Sequence, residues 1–150
     1  MNLPRRFDEY VEEGIVRRQR KDASRAKFLF NEAEMAKKAL AEIIDKVGVS
    51  DINANLVVKS SYDIIMELIR AIMLFEGFNS SGKGAHEAEV AFLRKLNFSD
   101  IDVKPVNELR YFRNAVTYYG RVMDREYAEK VVVLLKKIYP VLRNFEKNYK

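Results

Sequence analysis

The segment Glu108-Leu109-Arg110-Tyr111-Phe112-Arg113-Asn114-Ala115-Val116-Thr117-Tyr118-Tyr119-Gly120-Arg121 gathers guanidinium groups, a carboxamide and phenols into one short stretch. Wound as a helix at about 100° per residue, it places Leu109, Phe112, Ala115, Val116 and Tyr119 on one side. Arg110, Arg113, Asn114, Thr117 and Tyr118 fall on the other. A guanidinium fork binds phosphate through two parallel hydrogen bonds, and a tyrosine ring stacks a base. That face therefore suits an anion or a nucleotide. On spacing alone, a solvated or dimer-facing helix side accounts for it equally, and both readings stay open.

Three other places bear on chemistry. Gly77 through Lys83 has the glycine and lysine spacing of a phosphate-binding loop, but it follows a helical pattern and continues with Gly84 where a Ser or Thr would hold magnesium. It reads as a flexible helix–helix loop, in which Lys83 among free backbone amides could still touch phosphate. His86 is the single histidine of the chain, so any histidine-dependent catalysis runs through it and a histidine metal cluster is excluded. At the start of a helix, capping or packing is the commoner fate of such a residue. The acidic pairs Glu12 with Glu13 and Glu87 with Glu89 read as solvated helix faces rather than an acid/base dyad. Arg17, Arg18, Arg20 and Lys21 form a basic stretch that could meet a nucleic-acid backbone or simply end a helix in solvent.

These residues need helices to position them. Six glycines and three prolines separate long periodic segments, as breakers do between helices. A peripheral helix is expected from about Pro4 toward Lys21, with proline in its first turn. Asp22 or Ser24 caps the next, in which Phe28, Leu29, Ala33, Ala36, Leu40, Ile43, Ile44 and Val47 recur at helical spacing before Gly48. A third runs from near Ile52 to Phe75 and is apolar on nearly every side after Asp63, which demands a central place or a dimer seam. Shorter helices follow from about His86 to Leu96 and from about Val106 to Tyr119, the latter ending at Gly120. The last starts at Arg125, with Pro140 bending it or ending its regular part. No segment sustains the period-two alternation of a strand. The expectation is an all-α, up-and-down bundle of four to five helices in a single domain, with residues 1–21 peripheral and 23–148 as the core.

Composition sets the outer bounds. With 150 residues, 48% hydrophobic and 33% charged, the chain can bury a core of its own. It has no cysteine, so disulfides, thiolate metal sites and thiol nucleophiles are excluded, which suits a reducing cytoplasm. No apolar run reaches the roughly 18 residues of a membrane span, and the N-terminus turns charged at once. A cytoplasmic location without membrane contact is expected. The net charge of +5 favours anionic partners only mildly.

Arg113-Asn114-Ala115-Val116-Thr117-Tyr118-Tyr119-Gly120 resembles the signature of HEPN-domain proteins, an arginine followed by a polar residue, three others and a histidine. The likeness extends backward through Ser60-Ser61-Tyr62-Asp63, the apolar helix to Leu74, Glu76-Gly77-Phe78 and Gly84-Ala85-His86-Glu87, and covers roughly Ala23 to the C-terminus. It implies a homodimer with the arginine motif lining a cleft between protomers. It also implies RNA or nucleotide as ligand, no cofactor, and a minimal nucleotidyltransferase as antitoxin partner. Many members of the family are metal-independent ribonucleases or toxins. In this chain the histidine position is Tyr118, and an unperturbed tyrosine, titrating near pH 10, is a poor base at neutrality. Three readings follow. The first is an RNA- or nucleotide-binding regulatory module using Arg110, Arg113, Asn114, Tyr118, Lys83 and His86. The second is a ribonuclease in which Arg113 works with Tyr118 or His86. The third is a structural bundle whose arginines pair with Glu67, Asp63 or a partner subunit.

Overall fold

The computed structural model describes residues 3–119 and 122–149, apart from the side chains of residues 116–119. The expected roles of Tyr118 and of Gly120 as a helix terminus lie outside the described residues. Among those residues there are six α-helices and one two-stranded sheet.

The N-terminal segment departs from expectation. Helix α1 spans only Phe7–Glu12, with the Glu9 carboxylate accepting from the Arg6 backbone N–H. Gly14, at φ +79°, turns the chain out of the helix, and Val16–Arg18 forms strand β1. This strand pairs antiparallel with β2, Phe78–Ser80, in the register Val16↔Ser80, Arg17↔Asn79, Arg18↔Phe78. The expected helix to Lys21 and the expected lack of strands are both corrected here, since glycine ends the helix early and three-residue strands are too short to show a period. Nor is the segment peripheral: Phe7, Tyr10 and Val16 are buried, and Phe7 packs its ring against Phe78 and Phe92.

Helix α2, Ala23–Val47, starts where the Asp22 carboxylate accepts the Arg25 N–H at 3.0 Å and stops at Gly48. Helix α3, Ala54–Glu76, is the central rod: from Ile64 to Phe75 every residue is buried except Glu67 and Arg70, which are half-buried. It packs chiefly on α2 and on α6, Arg125–Asn144, and more lightly on α4, Ala85–Lys95, and α5, Asp100–Tyr119. An apolar helix covered on every side is the arrangement its sequence demanded. Helix α5 starts several residues ahead of the expected Val106 and carries Pro105 inside it. At that place proline forfeits a single hydrogen bond, to Ile101, after Ser99 has already taken the Asp102 and Val103 N–H groups. Pro140 likewise sits within α6, which passes into a short 3-10 helix, Phe145–Tyr149. Every one of these α-helices contributes buried apolar side chains to one hydrophobic cluster.

The loop after α3 is held rather than free. Gly77 ends α3 in the left-handed region, and its carbonyl accepts the Gln19 N–H at 2.8 Å. A Cβ on Gly77 would stand 2.8 Å from the Gln19 carbonyl oxygen, whereas one on Gly82, also at positive φ, would meet nothing. Gly82→Ala is therefore expected to cost about 1 kcal/mol from backbone strain alone. Gly77→Ala should cost clearly more, at least about 2 kcal/mol, since strain and collision add. Urea denaturation midpoints check this, and equal losses would remove the close approach as a cause.

Candidate functional site

Tyr62, on α3, is the hub of a polar cluster set into the apolar core. Its ring is 2% exposed and meets helices from two sides. From α5, the Arg113 guanidinium lies 5.5 Å from the ring centroid; from α4, the His86 ring approaches at 6.4 Å with an interplanar angle of 67°. Arg113 and His86, on different helices, thus share one aromatic neighbour.

Each of these groups has further partners. His86 Nδ1 is 3.0 Å from Glu89 Oε1 and 3.1 Å from Arg70 Nη2, while Arg70 Nε donates to Glu89 Oε2 at 2.6 Å. Glu89 is 2% exposed, so its reading as a solvated face is corrected: burial of a carboxylate demands donors on both oxygens, and Arg70 and His86 stand there. The buried Glu89 oxygen favours the tautomer with its proton on Nδ1. A proton on Nδ1 satisfies the buried Oε1, and the Arg70 Nη2, on a partly exposed side chain, can turn to water. Nε2 is then left as the free acceptor of an exposed ring.

Arg113 is less firmly engaged. Its Nη2 pairs with Asp63 Oδ1 at 3.7 Å, beyond hydrogen-bonding distance, and its buried Nε has no hydrogen-bond partner among the described residues. Arg113 makes no ion pair with Glu67. Arg110 donates through Nε to Asn107 Oδ1 at 3.0 Å, with Nη2 3.9 Å from Glu87. The apolar side of α5 is as expected, with Leu109 and Ala115 buried and Phe112 half-buried. The opposite side is not solvated: Arg110, Arg113 and Asn114 are all half-buried, Arg110 and Arg113 reaching α4 and α3. Asn114 makes no side-chain hydrogen bond to a described residue. Lys83 is exposed on the loop before α4 and makes no ion pair among the described residues, so it does not join the cluster.

Sequence reasoning passed over Arg70 and Glu89 as site residues. For Arg70 the signal was a charge inside an apolar run, between Ile69 and Ala71, a pattern that marks a paired buried charge; Glu89, two residues after Glu87, carried no such signal. On the far side of Arg70 and His86 lies a cleft of about 310 Å³, which Arg25 and Leu29 of α2 and residues 78–80 also line. Among the described residues no helix is long and apolar enough to cross a membrane. The chain matches no protein-family model, no curated protein and no solved structure.

The Tyr62 hydroxyl is buried without a hydrogen-bond partner among the described residues. Burial, reinforced by the Glu89 charge, pushes its ionisation up to about 12, against the opposing pull of Arg70, Arg110 and Arg113. An unfolded tyrosine loses its proton near pH 10, so above that pH the unfolded chain binds fewer protons and stability falls as pH rises. The loss attributable to this residue should run from about pH 10 to about pH 12. In Tyr62→Phe that part of the alkaline decline is expected to vanish, as followed by urea midpoints across the range. An identical decline in both proteins would assign it elsewhere.

Proposed function

We propose that this chain is a HEPN-like module that binds RNA or nucleotide phosphate through Arg113. The observation that carries the reading is the state of that guanidinium: seated on the Tyr62 ring, loosely facing Asp63, with its Nε unpaired. A structural arginine in a protein interior normally has its donors satisfied, and one left short is poised for an incoming phosphate. Arg110 beside it and the Asn114 carboxamide extend the donor set, and the sequence likeness supplies the family. The same likeness supports a second copy of the chain and a minimal nucleotidyltransferase as partners. Arg113→Ala is expected to weaken single-stranded RNA binding by about tenfold or more, the worth of a charge-assisted hydrogen bond. The melting temperature should change little, because an arginine–ring contact contributes only about 0.5–1 kcal/mol. Fluorescence anisotropy with labelled RNA and calorimetry measure both. Unchanged affinity with a lowered melting temperature would make Arg113 a structural residue and end the proposal.

A second reading, metal-independent RNA cleavage, is favoured by His86. With Nδ1 turned to Glu89 and Nε2 free, the imidazole is oriented as a general base, and it shares the Tyr62 ring with Arg113. Nε2 would take the proton of a ribose 2′-hydroxyl while that oxygen attacks phosphorus; the 5′-oxygen leaves and is protonated by water. Cleavage in the presence of EDTA that His86→Ala abolishes and Tyr118→Phe retains is the expected result on this reading. Intact RNA after prolonged incubation with the wild-type protein leaves binding alone.

A further inference from the structure

The cleft beside His86 has a composition of its own. One wall is built by Arg70 of α3 with His86 and Glu89 of α4; the opposite wall is Arg25, in the first turn of α2. Leu29, Met73, Leu74 and Phe78 give the cleft an apolar floor, and Asn79 and Ser80 add polar groups to its lining. Both Glu89 oxygens are occupied, by Arg70 Nε and by His86 Nδ1, so that carboxylate does not answer the remaining positive charge. Arg25 uses its backbone N–H in the helix cap, and its exposed guanidinium has no ion pair among the described residues. Two guanidinium groups thus face one carboxylate already engaged, across an apolar floor.

We propose that this cleft is a binding site for a small organic oxyanion, a phosphate monoester or carboxylate carried on an apolar body. The head group sits between Arg25 and the outer Nη groups of Arg70, within reach of the His86 ring, and the body lies on Leu29 and Phe78. A volume of about 310 Å³ stands at the low end of small-molecule pockets and suits a ligand of that size. The opposed charges select against cations, since an ammonium would meet Arg25 and Arg70 with no free carboxylate to balance it. Arg113 does not line this cleft, so the inference stands apart from RNA binding at α5, although His86 belongs to both.

Isothermal titration calorimetry on the intact chain tests it, with phenyl phosphate, benzoate and inorganic phosphate as probes. Saturable binding of phenyl phosphate, benzoate or both is expected, with Kd below about 1 mM for a ligand of this size. Which of the two binds more tightly tells a phosphate head from a carboxylate. Arg25→Glu reverses the charge of one wall on an exposed first-turn position where glutamate suits the helix. Leu29→Trp fills the floor. Each should weaken the preferred probe by about tenfold or more, and Arg113→Ala should leave it unchanged. No saturable binding of either aromatic probe by the wild-type chain overturns the site. So does inorganic phosphate binding as tightly as phenyl phosphate with no effect of Leu29→Trp, because the floor would then contribute nothing. Loss in Arg113→Ala with none in Arg25→Glu would move the anion to α5 and overturn it equally.

Discussion

The Glu89 carboxylate, buried between α3 and α4 and held by Arg70 and His86, is the constraint on which the polar half of the molecule rests. A charge removed from water is tolerable only when its lone pairs are met, and removing one partner strands the other. The pairing therefore fixes three things together. It sets the rotation of α4 against the central helix, the side-chain path of Arg70 out of an apolar run, and the ring orientation of the only histidine. Tyr62, about two turns before Arg70 along α3, inherits its surroundings from the same arrangement. Its hydroxyl is driven toward the neutral form by burial and the Glu89 charge, while the arginines around it keep that drive in check.

The rest of the fold serves to keep this cluster dry on one side and open on the other. Helix α3 is sheathed by α2 and α6, which supply most of its apolar cover. Helices α4 and α5 contact it more lightly and bring the charged groups. Stability and chemistry are thereby divided between two faces of one helix. Arg113 enters from α5 at the edge of this arrangement, near enough to Tyr62 for a cation–ring contact and paired with Asp63 at 3.7 Å, an ion pair without a hydrogen bond.

Helices declared themselves in the sequence wherever their periodicity was long. The apolar run after Asp63 demanded a central position, and Asp22 caps the helix that Gly48 ends. What stayed hidden was short or long-range. Strands of three residues carry no readable period, and their pairing joins positions separated by the whole of α2 and α3. Pro105 read as a boundary because a proline costs a hydrogen bond, yet near a helix start that cost is small. At the site, Arg113, Arg110 and Asn114 were visible from their types and spacing, and His86 from its uniqueness. That His86 and Arg113 meet the same ring, and that Glu89 is buried, depends on how α4 and α5 dock, which no local pattern specifies. Glu89 looked like surface because glutamate in a helix usually is.

The two-stranded sheet has a wider meaning than its size suggests. Through β1, Gln19 and Gly77, the first twenty or so residues clamp the segment bearing Phe78, Asn79 and Ser80, three of the residues that wall the cleft. The arm that leads into the bundle is thus a brace for its pocket. Any protease nick or bulky addition that peeled this arm away would slacken a wall formed some sixty residues downstream, tying the integrity of one end of the polypeptide to the shape of a hollow in its middle.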